Sequence, residues 1–148
     1  NTGLILWDAA FVLARFFETR FKGGHWKGKR IMELGAGTGL PSIVLAIMGG
    51  QVVATDLDEA LPLLEQNVAA ARARSPSINL SAERLEWSAA AVHPLAPFDV
   101  ILCSEVIYDR KCHDVLLDTI GALASPETEV FFAYKRRGLG EDDFVDRL

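Results

Sequence analysis

Residues 33–46 read ELGAGTGLPSIVLA: a carboxylate, glycines at every second position, then an apolar run. A glycine-rich turn between a strand and a helix lets a ligand lie directly against the backbone. It can hold a nucleotide's phosphates, hold the methyl donor S-adenosylmethionine, or only let two elements pack closely. Two more carboxylates stand at comparable places. Asp56 closes the stretch QVVATD, and Glu105 follows the apolar run FDVILCS and leads into Val106-Ile107-Tyr108. A carboxylate just beyond a strand can grip sugar hydroxyls or orient a cationic group.

The turn itself narrows the chemistry. Its glycines are Gly35, Gly37 and Gly39, whereas the dinucleotide fingerprint needs its third glycine where Leu40 stands. No Gly-Lys-Ser/Thr follows, so a phosphate loop of the Walker type is excluded. S-adenosylmethionine has no phosphates but carries an α-ammonium and a sulfonium, which suits the nearby Glu33 carboxylate. Asp56 is then placed to take both ribose hydroxyls. The glycines alone are compatible with a packing role, and Asp56 with a loop cap. Together, on one βαβ unit, Glu33, Gly35, Gly37, Gly39 and Asp56 form the pattern of a class I methyltransferase cofactor site, and Ala36, Thr38 and Leu57 beside them are candidate cofactor contacts.

The elements needed to position these residues are legible as alternating helix and strand without internal repeats. Asp8 to Glu18 has helical apolar spacing through Phe11, Val12, Leu13, Phe16 and Phe17. Arg30 to Leu34 is a short strand. The glycine turn opens a buried helix through Met48, with Pro41 in its first turn and Gly49-Gly50 as its stop. Gln51 to Thr55 is the second strand, and Asp58 is the expected N-cap of a helix to Arg74 with Leu61, Leu64, Val68 and Ala71 inward. LSAERLEW is a weaker strand. Phe98 to Ser104 is a continuous apolar run, as in a strand covered on both faces, and belongs centrally. A helix from Lys111 to Ala124, with Val115, Leu116, Ile120 and Leu123 inside, and a strand from Thr128 to Lys135 complete the order. The expectation is one α/β domain over residues 1–148 with a doubly wound, mostly parallel sheet.

Composition bounds the remaining possibilities. A chain of 148 residues that is 50% hydrophobic, with three Trp and eight Phe, can bury a real core. The net charge of −5 argues against general binding to nucleic acid or anionic membrane. The local basic run Arg20, Lys22, Lys27, Lys29 and Arg30 reads as a solvated loop. Cys103 and Cys112, with no ligand-spaced His among His25, His93 and His113, read as reduced structural thiols, and no metal site is expected. No apolar run reaches the roughly 20 residues that cross a bilayer. The expected setting is cytoplasmic, with the nucleus as a second compartment. No initiator Met is present, and Asp142 to Leu148 reads as the start of another helix, so a longer protein with a further sheet edge is expected.

The segments TGLILWDAAFVLARF, MELGAGTGLPSIVLAIMGGQVVATD, LEW and CSEVIYD together resemble the family 16 methyltransferases. That group includes protein-lysine methyltransferases acting on Hsp70 chaperones, valosin-containing protein and translation elongation factors. The resemblance runs from Thr2 to about Tyr134. It implies that Trp7 lies beside the cofactor, that Trp87 lies against adenine, and that Ser104 borders the same site. It also implies that the acidic-x-x-Tyr motif, here Glu105 and Tyr108, does the acceptor chemistry. Many members carry Asp at this place, and the extra methylene of Glu105 moves the carboxylate by roughly 1.5 Å. The family fold closes with a strand pair after the fifth strand. The partner implied is a protein substrate: a chaperone, an AAA ATPase or a translation factor.

Methyl transfer to lysine requires the free amine. A reference pKa near 10.4 puts that about 4 kcal/mol away at neutral pH. A carboxylate beside the amine favours the ammonium form, so Glu105 is expected to orient the acceptor with Tyr108 rather than to deprotonate it. A methyltransferase acting on a small amine or on histidine, and a non-catalytic binding module, are the alternatives.

Overall fold

In the computed structural model, residues 7–148 are described; Thr2 to Leu6 of the first family-like segment lie outside them. Helix α1 (Asp8–Arg20) precedes strand β1 (Arg30–Leu34), followed by α2 (Leu40–Ile47), β2 (Gln51–Asp56), α3 (Leu61–Arg74) and β3 (Asn79–Arg84). Then come β4 (Val100–Ser104), a short 3-10 turn (Arg110–Cys112), α4 (His113–Leu123), β5 (Glu129–Ala133) and α5 (Glu141–Val145). Among the described residues the five strands form one sheet in the order β3-β2-β1-β4-β5, every pairing parallel. This is the expected doubly wound α/β sheet, and β4, buried along its whole length, is interior between β1 and β5.

Alternation along the strands sorts the core into two layers. Ile31, Val100 and Leu102 pack with Leu13, Phe17, Leu45 and Leu64 on the side of α1, α2 and α3. Met32, Leu34, Ile101 and Cys103 pack with Leu116, Ile120, Leu123 and Phe144 on the side of α4 and α5. Residue-level differences from the sequence reading have local causes. On α1 it is the small Ala9, Ala10 and Ala14 that are buried with Leu13 and Phe17, while Phe11, Val12 and Phe16 are exposed. Ile47 at the end of α2 is also exposed, so that helix is not covered all round.

Asp58 does not cap α3. Residues 57–60 form a turn in which the Ala60 N–H donates to Leu57 O, the helix starts at Leu61, and Asp58 pairs with Arg84 at 3.1 Å. In the basic loop, Arg20, Lys22 and Lys27 are exposed as expected, while Trp26 is fully buried against Phe17, Phe21 and Phe131 and anchors the loop in the core. Its last two cations are paired, Lys29 with Glu129 and Arg30 with Asp99.

Candidate active site

In a parallel sheet all strands end at one edge, and the ends of β1, β2, β3 and β4 feed loops toward one cavity. A cavity of about 310 Å³ lies there, lined by Gly35, Ala36, Gly37 and Thr38 after β1, and by Asp56 and Leu57 after β2. Leu85, Glu86 and Trp87 after β3, and Ser104, Glu105, Val106 and Tyr108 after β4, complete the wall. Trp7, just before α1, and Ala10 in its first turn reach it, as does Cys112 from the 3-10 turn. Eleven of the thirteen residues singled out from the sequence therefore share one cavity; Glu33 and Gly39 do not line it.

The turn is built by backbone geometry. Gly35 has φ +66, and a Cβ there would stand 2.7 Å from Val106 Cγ1 and 3.5 Å from Trp87 Cζ2. Gly39 serves another purpose: with φ +78 it is the left-handed residue that starts α2, and a Cβ would meet Leu64 Cδ1 at 2.6 Å. Asp56 closes the turn by accepting the Gly37 N–H on Oδ2 at 2.7 Å and the Leu57 N–H on Oδ1 at 2.8 Å. Asn67 of α3 donates to Thr38 O at 2.9 Å. That brace has no local sequence signal, because it joins two segments far apart in the chain.

Glu33 corrects the expectation that its carboxylate faces the methyl donor. Alternation with Met32 and Leu34 turns it to the α2 side, where it is fully buried. Oε2 accepts the Ser42 hydroxyl at 2.6 Å and the Ser42 N–H at 3.2 Å, and Oε1 accepts the Ser104 hydroxyl at 3.4 Å. The residue thus ties the first turn of α2 to the end of β4. Burial pushes its carboxyl up to about 7, against the opposing pull of the Ser42 and Ser104 hydrogen bonds.

Ionisation of Glu33 therefore opposes folding. The unfolded carboxyl ionises near 4.5 and the folded one near 7, so stability is greatest below 4.5 and falls as pH rises toward 7. The full loss is on the order of 3 kcal/mol. Glu33→Gln keeps an acceptor for Ser42 and should remove this slope, gaining stability over the unaltered chain at pH 8 but not at pH 4.5. Denaturant titrations at both values check it, and equal slopes in the two proteins would count against a buried titrating Glu33.

Glu105 has φ 55, the only positive φ outside glycine among the described residues. An L-residue held there costs about 1–2 kcal/mol, and such strain gathers at functional sites. Its N–H donates to Ala133 O at 2.8 Å. Tyr108 is half exposed at the cavity mouth, and Asp109, not Glu105, caps the following turn by accepting the Lys111 N–H at 3.0 Å. Both cysteines are free, and burial raises each thiol above its usual range, which does not suit a nucleophilic thiolate. Among the described residues no cluster of His, Cys, Asp and Glu could hold a metal ion.

A family model described as lysine methyltransferase matches residues 1–148. The chain is 36% identical over 150 residues to the protein-lysine methyltransferase METTL21E of Bos taurus, covering 99% of this chain and 52% of that protein. It is 32% identical over 144 residues to the protein N-lysine methyltransferase METTL21A of Xenopus tropicalis, covering 97% and 66%. With EEF1A lysine methyltransferase 3 of the same species it shares 33% over 132 residues, covering 89% and 57%. The chain spans about half to two thirds of the length of these curated relatives. Among solved structures it is similar to magnesium protoporphyrin IX methyltransferase (ChlM) from Synechocystis PCC 6803 with bound SAH. The TM-score is 0.65 at 17% identity, over 93% of this chain and 59% of that one. Precorrin-6y C5,15-methyltransferase from Geobacter metallireducens GS-15 gives 0.67 at 16%, over 97% and 73%. These two likenesses bear on the fold alone.

Proposed function

The chain belongs to the lysine methyltransferase family, and on that premise we propose that it transfers a methyl group from S-adenosylmethionine to a lysine side chain of a partner protein. The observation that carries the reading is the single cavity that joins the glycine turn and Asp56 to the acidic-x-x-Tyr motif. Its volume of about 310 Å³ suits a small ligand, and the bare face of Gly35 supplies a cradle that a Cβ would fill. Each Asp56 oxygen accepts one backbone N–H and keeps a lone pair for a ribose hydroxyl. Trp87 offers an aromatic surface to adenine. When bound, the cofactor supplies an electrophilic methyl group on a sulfonium centre.

The chain's own part is to bind, align and dehydrate. The acceptor nitrogen would have to arrive without its proton and aligned for an in-line displacement, so orienting it and excluding water fall to the residues of the cavity. Glu105 and Tyr108 hold that nitrogen by hydrogen bonds, and Trp7 borders the approach. Among substrate classes, the relative named EEF1A lysine methyltransferase 3 supports a translation factor, and a cytoplasmic setting agrees with it.

Calorimetry should show binding of S-adenosylmethionine and S-adenosylhomocysteine and none of NAD. Asp56→Ala should cost about 1.5–3 kcal/mol of cofactor affinity, together with some stability because two backbone N–H groups lose their acceptor. Tight NAD binding with neither S-adenosyl ligand bound would sink the reading. Incubating the full-length protein with labelled cofactor and a hypomethylated cell extract then identifies the acceptor by mass spectrometry. Label on histidine or in the low-mass fraction would replace lysine.

A further inference from the structure

The side chain of Glu105 is only 7% exposed, and both its oxygens are engaged by the segment after β5. Oε1 accepts the Lys135 N–H at 2.9 Å, and Oε2 pairs with Arg137 Nη1 at 2.7 Å. Arg137 is itself fixed. Its Nη1 also donates to Lys135 O at 3.2 Å, and its backbone N–H donates to Glu141 Oε1 at 2.8 Å. Glu141 accepts the Leu139 N–H as well, at 2.8 Å, so the first residue of α5 clamps the turn that aims the guanidinium. Trp7 and Glu105 line both the cavity over the glycine turn and a groove between α1 and β5, and Arg137 lies in the wall of that groove. The ion pair stands where the two meet.

An acceptor lysine makes conflicting demands on Glu105. A lone carboxylate orients the nitrogen but stabilises its ammonium form, which cannot attack. A guanidinium at 2.7 Å balances the charge and leaves carboxylate lone pairs to accept from an amine. We infer that Arg137 is a positioning residue for methyl transfer, converting Glu105 from an anion that would keep the acceptor protonated into an overall neutral hydrogen-bond acceptor for the free amine. This rests on the lysine reading above. The titratable groups sharing the cavity with Glu105 are Asp56, Glu86, Tyr108 and Cys112, and those sharing the groove are Asp8, Tyr134, Lys135 and Arg137. Lys135 meets the carboxylate through its backbone N–H, so the side-chain cation bonded to it is that of Arg137.

The test uses full-length protein loaded with S-adenosylhomocysteine and titrated with n-butylamine, an ammonium ion at pH 7.5. Arg137→Met and Arg137→Gln should bind it about tenfold more tightly than the unaltered protein, because the buried carboxylate then lacks its partner. Arg137→Lys should restore the weak binding, and S-adenosylhomocysteine affinity should stay within about threefold throughout. Lysine labelling of a hypomethylated extract should fall about tenfold at pH 7 in the two charge-removing variants and recover by about pH 9.5, while the Lys variant follows the unaltered profile. Unchanged or weaker butylammonium binding overturns the inference. So does loss of S-adenosylhomocysteine binding in both charge-removing variants, which would make Arg137 structural. If the unaltered protein labels no lysine, the functional reading fails instead, and the butylammonium comparison still decides the charge balance.

Discussion

Glu105→Gln and Tyr108→Phe lower turnover at saturating cofactor by about ten- to a thousandfold, or roughly 1.4–4 kcal/mol, and leave cofactor affinity within about threefold. The split follows from the layout. The glycine turn and Asp56 follow β1 and β2, whereas Glu105 and Tyr108 follow β4 and stand on another wall of the same cavity. Glu105→Gln keeps the shape and one acceptor for the Lys135 N–H, but removes the charge opposite Arg137. Tyr108→Phe removes one hydroxyl from a half-exposed side chain, so its effect on stability should be small. The competing view gives Glu105 a capping or supporting role only. Asp109 already performs the cap, which leaves support of the cavity wall as the rival. That rival predicts weaker cofactor binding or a lower melting temperature with near-normal rate at saturation. Calorimetry and single-turnover methylation on the same variants separate the two, and full activity in both removes acceptor orientation from the account of this motif.

Much of the architecture was legible because each element carried its own local signal. The apolar runs of β1, β2 and β4 and the glycine stop after α2 are properties of a few adjacent residues, and the alternation of elements then demands a parallel sheet. What escaped was set by contacts distant in sequence or by a choice between faces. A run of lysines and glycines reads as solvated, yet Trp26 inside it finds three phenylalanine rings from α1, Phe21 and β5 and anchors the loop. The nearness of Glu33 to the turn in sequence suggests a cofactor contact, but strand alternation directs its side chain toward Ser42 and out of the cavity lining. The pairing of Glu105 with Arg137 could not be read locally, since it depends on β5 lying beside β4. Residue types identified the chemistry of the site. Which partner balances each charge came from the packing.

The other large effect is expected at Gly35. Gly35→Ala should abolish measurable cofactor binding at micromolar protein and lower stability by about 2–5 kcal/mol. Two separate costs combine. A left-handed φ of +66 penalises any L-residue by about 1–2 kcal/mol. The new Cβ would also stand 2.7 Å from Val106 Cγ1, and relieving such overpacking typically costs about 1–3 kcal/mol. Val106 and Trp87 line the cavity with Gly35, so their displacement alters the wall against which the ligand must lie. Combining Gly35→Ala with Val106→Ala distinguishes the two costs, because trimming the valine removes the collision but not the backbone strain. The double variant should regain part of the lost stability relative to Gly35→Ala alone and bind S-adenosylhomocysteine measurably but more weakly than the unaltered protein. Denaturant unfolding and calorimetry on the three variants read both quantities. Cofactor affinity preserved in Gly35→Ala would mean that the turn only packs strand against helix, the reading that the spacing of the glycines alone had left open.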